Sequence, residues 1–243
     1  MPAFETHAQG QAPEPVFRLA GDRGLLVEFG TSIDPDLNRR TRSVAACLKS
    51  KSVPGIMEIV PAYASFLIVY QPDLVNVPGL REAVRACLDP AGHILEDEGK
   101  VVDIPVCYSQ DFGPDLPFVA QYNNLTPEEV IRIHTSGRYL IYMCGFAPGF
   151  PYLGGLDPRL HTPRLDTPRA MVQAGSVGIA NNQTGIYPIS SPGGWQIIGR
   201  TPLRLFTPER TDPVPLYRPG DQLRFVPISQ AEFQRLAREE SHG

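Results

Sequence analysis

Three arginines, Arg164, Arg169 and Arg200, are the residues of this 243-residue chain whose type and spacing point most directly to chemistry. Arg164 and Arg169 close two Pro-Arg dipeptides five residues apart, and Arg200 stands in Gly-Arg-Thr-Pro-Leu. A guanidinium presents a planar fork of donors that matches carboxylate and phosphate oxygens. Lysine offers no competition there, because Lys49, Lys51 and Lys100 are the only three and all precede this region. The second half therefore has no lysine to form a Schiff base or carry biotin. No Gly-x-x-x-x-Gly-Lys-Ser/Thr run exists, which excludes a P-loop. An anion held there must be met by arginine or by backbone N–H groups; the competing reading of each arginine is a solvated surface side chain.

His134 sits at the end of a short helical stretch, just ahead of a strand leading into Gly-Phe-Ala-Pro-Gly-Phe. It reads either as a member of the site that this loop shapes or as a helix-terminal histidine bonded to a backbone carbonyl. His7, His93, His161 and His242 show no ligand spacing, so no metal site is expected from this chain alone. Ser176 in Ala-Gly-Ser-Val-Gly resembles a nucleophile elbow, but that motif needs Gly-x-Ser-x-Gly and here Gly175 adjoins the serine. Hydrogen bonding at a strand start is its expected role. Tyr152, Tyr187 and Trp195 could wall a pocket for a small planar ligand, with Gln183, Thr184 and Ser191 as directional donors and acceptors. Trp195 follows Gly193 and Gly194 and is expected to be partly exposed. Cys144 abuts Gly145, whereas Cys47 and Cys87 fall on apolar helical faces and read as small buried hydrophobes. With no Cys-x-x-Cys pair and no secretory signal, the four cysteines point to a reduced, cytoplasmic protein.

The elements that must position these groups divide the chain. Residues 1–15 lack hydrophobic periodicity and read as a tail. From Val16 the pattern is a hairpin, a helix begun by Asp34-Pro35, two strands, a helix from Pro78 and a strand from Val101 to Cys107. That order is a ferredoxin-like α/β sandwich over residues 16–108. Thr126 and Glu129 give a capping box for a helix reaching His134. Short strands punctuated by turns follow, at Tyr139–Cys144, Ser176–Ile179, Trp195–Gly199, Leu203–Phe206 and Gln222–Val226, so residues 109–243 read as a closed or sandwiched β-fold. Ser229 with Glu232 opens a polar C-terminal helix. Residues 145–220 hold 11 Gly and 12 Pro in 76 positions, against 25 of both in the other 167. A path set so heavily by local sterics, and interleaved with aromatics, argues for a shaped site. The net charge of −4 gives no reason to expect a nucleic-acid partner, and no apolar run approaches a membrane span.

Six ordered motifs then carry a family resemblance: Gly145–Gly155 (GFAPGFPYLGG), the Pro163-Arg164 and Pro168-Arg169 pairs, Ala174–Ile179 (AGSVGI), Gln183–Pro188 (QTGIYP), Ser191–Trp195 (SPGGW) and Gly199–Leu203 (GRTPL). The chain, from about Val16 to Ile228, resembles the family of the 5-oxoprolinase B subunit, KipI and allophanate hydrolase subunit 1, which is similar to part of the urea carboxylase carboxyltransferase domain. It departs from the family pattern at Gln173, usually proline, and Asn181, usually glycine. The resemblance implies an α+β architecture, with the second domain a cyclophilin-like β-barrel. It implies an ATP-dependent activity opening 5-oxo-L-proline to L-glutamate, with a site shared with a C-type partner protein and a separate A-type protein also required. ATP, with Mg, would be shared with the partner rather than bound by this chain alone. An unactivated amide is a poor electrophile, and phosphorylating its oxygen makes that oxygen a leaving group. His134, Arg164, Arg169 and Arg200 are then the expected catalytic residues. Substrate or nucleotide contacts are expected from Gly145, Phe146, Pro148, Gly149, Phe150, Tyr152, Gly154, Gly155, Ser176, Gln183, Thr184, Tyr187, Ser191, Gly193, Gly194 and Trp195. The same resemblance also allows KipI-like inhibition of a sensor histidine kinase, or carboxyl transfer to urea-like amides. The chain on its own could self-associate through a vacant interface.

Overall fold

The computed structural model describes residues 14–88, 99–207 and 216–242. Most of the expected tail, together with His7 and His93, lies outside the described residues. Two compact units divide the chain, Met1–Glu96 and Asp97–Gly243.

The first unit opens with the antiparallel hairpin β1 (Val16–Leu19) and β2 (Gly24–Glu28). Helix α1 (Pro35–Ser50) starts where Asp34, in extended conformation, accepts the N–H groups of Asp36 and Leu37, with Pro35 in the first turn. The cap satisfies donors that have no intrahelical partner. Strands β3 (Ile56–Pro61) and β4 (Ser65–Tyr70) and helix α2 (Val77–Arg85) complete the unit. The sheet order is β1-β2-β4-β3, antiparallel throughout. Alternate residues Phe66, Ile68 and Tyr70 of β4 face a core shared with Leu25, Val27, Leu48, Leu80 and Val84. Cys47 and Cys87 are joined in a disulfide, Cα to Cα 5.8 Å, instead of standing as two buried thiols.

The strand expected to finish this sheet goes elsewhere. β5 (Val101–Val106) pairs in parallel with β13 (Gln222–Pro227) inside the second unit. A ferredoxin-like sheet seats its final strand beside its first core strand. Here β1 already covers that edge of β2, from Val16 opposite Glu28 to Leu19 opposite Leu25. The N-terminal hairpin thus supplies the last strand of the sandwich, and the units divide ahead of the expected boundary at 108.

In the second unit, β6 (Tyr139–Cys144), β7 (Pro151–Gly154), β9 (Ser176–Ala180), β10 (Gln183–Ile186) and β12 (Gln196–Arg200) join β5 and β13 in one sheet ordered β12-β9-β10-β7-β6-β13-β5. Cys107 and Arg200 exchange backbone hydrogen bonds of 2.8 and 3.0 Å, bringing the two ends of the sheet together. Closure into a barrel removes the exposed edges that an open sheet presents. Ile104, Ile141, Leu153, Val177, Ile179 and Phe225 fill its core. A separate ribbon, β8 (Arg169–Val172) with β11 (Ser191–Gly193), stands beside it. Helices α3 (Leu116–Tyr122), α4 (Pro127–Ser136) and α5 (Gln230–His242) complete the unit, α4 carrying the capping box of Thr126 and Glu129. Leu203–Phe206, expected as a strand, is irregular.

The two departures from the family pattern flank β9 and fit its turns. Asn181 has φ +52° at the first central position of the two-residue β9–β10 turn. Glycine is the usual residue for that geometry, and asparagine is among the few others that tolerate the left-handed region. Gln173 accepts the Ser176 N–H through its carbonyl, 3.2 Å, a role proline could fill equally.

Candidate functional site

A cleft of about 310 Å3 opens in the second unit where several loops converge. The β6–β7 loop brings Phe146 and Phe150, β7 brings Tyr152, and the segment before β8 brings Arg164 and Pro168. The β9–β10 hairpin adds Ala180, Asn181 and Gln183, with Tyr187 just beyond β10 and Pro192, Gly193, Gly194 and Trp195 completing the lining. Phe150 organises the wall: its ring meets those of Tyr187 and Trp195 edge-on, both at 5.5 Å, and lies 5.0 Å from Tyr152. Edge-to-face contact sets the negative face of one ring against the positive edge of another. Glycine at 193 is a packing requirement, since a Cβ there would come within 2.3 Å of the Tyr187 hydroxyl. Trp195 is only 7% exposed, less than its two preceding glycines suggest, because Phe150, Tyr187 and Ile197 close around it.

Phe146 is the exception to this packing. It is 67% exposed, with φ +67°, and Ala147 donates back to the Gly145 carbonyl at 2.8 Å around it. A bulky residue at the centre of such a γ-turn is strained. Gly145, Pro148 and Gly149 form the rest of this loop, beside a second hollow of about 320 Å3 lined by residues 144–149. Gly149, at φ +81°, turns its carbonyl to the Tyr217 hydroxyl, 2.8 Å away.

The three arginines have different fates. Arg169 reaches Asp115 at 2.6 Å and the Trp195 carbonyl at 3.4 Å, while the other oxygen of Asp115 accepts the Ile197 N–H at 2.6 Å. It ties β8 to β12 and to the start of α3, and does not line the cleft. Arg200 donates to the Ala174 carbonyl at 2.8 Å, and burial pulls its pKa down. Arg164 lines the cleft, exposed, with no hydrogen-bond or ion-pair partner among the described residues. Its charge is felt there. Burial raises the Tyr152 and Tyr187 phenols, and Arg164 pulls both back towards their ordinary value.

His134 is not at the cleft. It is 0% exposed, with Nδ1 2.8 Å from the Tyr108 hydroxyl and Nε2 2.9 Å from the Thr184 hydroxyl. Thr184 in turn donates to the Gly178 carbonyl at 3.0 Å, and Phe225 stacks on the imidazole at 4.4 Å. Desolvation lowers its pKa to about 3, so the ring is neutral near pH 7. The expected catalytic histidine and its neighbour Thr184 are thus a buried hydrogen-bonded pair that crosslinks α4 to the barrel. Burial, reinforced by the charge of Asp221, pushes the Cys144 thiol up to about 11, leaving it protonated at neutral pH.

Four further candidates also stand outside the cleft lining. Ser176 is buried in β9, where its carbonyl accepts the Tyr187 N–H. The Ser191 hydroxyl is buried without a partner among the described residues. Gly154 gives room to the Tyr142 ring, 2.0 Å from where a Cβ would stand, and Gly155 turns the chain at φ +93°. Pro168, Ala180, Asn181 and Pro192 line the cleft although they are not among the expected contacts; a proline, an alanine or a turn asparagine carries no signal of its own beyond the local backbone path. Among the described residues no group of three His, Cys, Asp or Glu side chains could hold a metal ion, and no helix is long and apolar enough to cross a membrane.

Comparison with known proteins places this geometry. The carboxyltransferase domain family, subdomain C and D, matches residues 15–216. The B subunit of 5-oxoprolinase from Bacillus subtilis (strain 168) is 44% identical over 229 residues, covering 90% of this chain and 95% of that one. The urea amidolyase of Saccharomyces cerevisiae is 26% identical over 281 residues, which take in 100% of this chain and 15% of that protein. Among solved structures, TTHA0988 superposes with a TM-score of 0.76 at 36% identity over 85% of this chain, which spans 40% of TTHA0988. With matches that run through both units and every loop of the cleft, the chain belongs to the carboxyltransferase-domain subdomain C and D family, alongside the B subunit of 5-oxoprolinase.

Proposed function

We propose that this chain is the B subunit of a 5-oxoprolinase, opening the lactam of 5-oxo-L-proline to L-glutamate at the expense of ATP, in company with a C-type and an A-type subunit. The observation that carries the reading is 44% identity across 95% of the length of a protein of that name. The cleft supports it: an aromatic lining suits a small flat ring, and Asn181 borders it with an amide group that can pair with a lactam.

The residues do not fit a nucleoside triphosphate. Such a group carries several negative charges, and its cradle normally combines cations, a metal ion and backbone N–H groups. Arg169 and Arg200 are committed to protein oxygens, and one arginine remains. The reading therefore leaves the phosphate chemistry to the rest of the assembly and makes the isolated chain inactive.

The test is ADP release by the chain co-purified with its C-type partner and supplied with the A-type protein, with and without 5-oxo-L-proline. Lactam-dependent turnover by the assembly, and none by the chain alone, is expected. An intact assembly without lactam-dependent turnover would overturn the reading. The likeness to urea amidolyase makes urea the second amide to try in the same assay.

A further inference from the structure

We infer that the cleft is a carboxylate-selective pocket for a compact planar ring, and that Arg164 decides its specificity by holding the carboxylate; this rests on the 5-oxoprolinase reading and assigns the lactam acid, not the nucleotide, to this chain. The argument starts from charge. Of the three arginines near the cleft, only Arg164 is free to meet a ligand. No lysine follows Lys100, so no other ammonium group from this half of the chain can supplement it. One guanidinium balances one carboxylate through two parallel N–H···O bonds, and leaves a polyphosphate largely unneutralised.

Size and surface agree with charge. About 310 Å3 is the lower end of the range for small-molecule sites, roughly 300–1,000 Å3. Phe150, Tyr187 and Trp195, only 2%, 2% and 7% exposed, form a rigid floor whose rings are locked against one another, so little side-chain freedom is lost when a flat ring settles against it. Phe146, exposed and held in a strained turn at the same cleft, can cover a ring seated against that floor. A five-membered lactam bearing one carboxylate matches one cation, an aromatic lining and the amide of Asn181.

Trp195 is the sole tryptophan of the chain and lines the cleft, so its fluorescence reports occupancy directly. The experiment titrates 5-oxo-L-proline, 2-pyrrolidinone, which lacks the carboxylate, and Mg-ATP into the full chain and into its complex with the C-type partner. We expect 5-oxo-L-proline to bind about 30-fold more tightly than 2-pyrrolidinone, a gap of about 2 kcal/mol, and Mg-ATP not to displace it. Arg164→Gln should erase that gap while leaving the circular dichroism unchanged, and Arg164→Lys should restore part of it. Equal binding of the two lactams, competition by Mg-ATP, or no binding to either preparation would overturn the inference. Lactam-dependent ADP release with an unchanged KM in Arg164→Gln would sink the inference and spare the function. Carboxylate-selective binding in an assembly without turnover would do the reverse.

Discussion

Arg169 and Arg164 occupy equivalent Pro-Arg pairs yet do different work, and their variants should separate. Arg169 is 33% exposed and its partner Asp115 only 12%. Arg169→Ala leaves that carboxylate with the Ile197 N–H as its remaining donor, so we expect a loss of about 1–3 kcal/mol. Urea unfolding followed by Trp195 fluorescence measures it; a midpoint unchanged from the parent would show the pair to be ornamental. His134 makes a pH-dependent prediction. Its folded pKa lies near 3 because of desolvation, against about 6.5 in an unfolded chain. Below pH 6.5 unfolding therefore takes up a proton that the folded ring refuses. This group contributes a stability loss of up to about 1.4 kcal/mol per pH unit as pH falls from about 6.5 towards 3, and none above 6.5. His134→Asn should flatten that part of the stability–pH profile, whatever it costs overall; an unaltered slope would assign the titration elsewhere. Neither distinction is legible in the sequence. It shows that arginine is the available cation and that His134 ends a helix, but not that Asp115, some fifty residues away, captures Arg169, nor that Tyr108 and Thr184 enclose the imidazole.

At the scale of elements, local signals do most of the positioning. Asp34-Pro35 and the Thr126/Glu129 box start α1 and α4 as read, because capping is written within four residues. Helix α3 leaves no such mark: Asp115 makes no side-chain cap there and spends its carboxylate on Arg169 and Ile197 instead. The short strands β7, β8, β10 and β11 escape notice too, since three or four residues are too few for a period to show. The Cys47–Cys87 link is likewise invisible, because it joins α1 to the residues after α2 across 40 positions. It bears directly on compartment, since a reducing cytoplasm would keep both thiols free. Intact mass after alkylation under denaturing, non-reducing conditions should find two reactive cysteines, Cys107 and Cys144, in oxidised protein. Reduction should expose two more and destabilise the first unit by about 2–4 kcal/mol. Four reactive cysteines without reductant would mean that the pair is packed but unbonded.

At the scale of the whole molecule, β5 decides where one folding unit ends and the next begins. Reading β-α-β-β-α-β along the chain puts Val101–Cys107 in the first unit, and local pattern offers no reason to do otherwise. The reason is non-local: β1 has filled the sheet edge that β5 would need, while β13 presents its whole length to it, from Gln222 opposite Val101 to Pro227 opposite Val106. Ile104 and Val106 are fully buried in the barrel core, and the Cys107–Arg200 bridge that joins the ends of the sheet lies directly after the strand. Losing two such side chains costs about 3–6 kcal/mol in burial alone, a large part of the 5–15 kcal/mol that holds a typical domain together. A fragment of residues 97–243 should therefore unfold cooperatively with Trp195 buried at the start. A fragment of residues 109–243 should show an exposed tryptophan and no cooperative transition. Cooperative folding of the shorter fragment would mean that β5 decorates the barrel instead of closing it, and the boundary at 108 would stand after all.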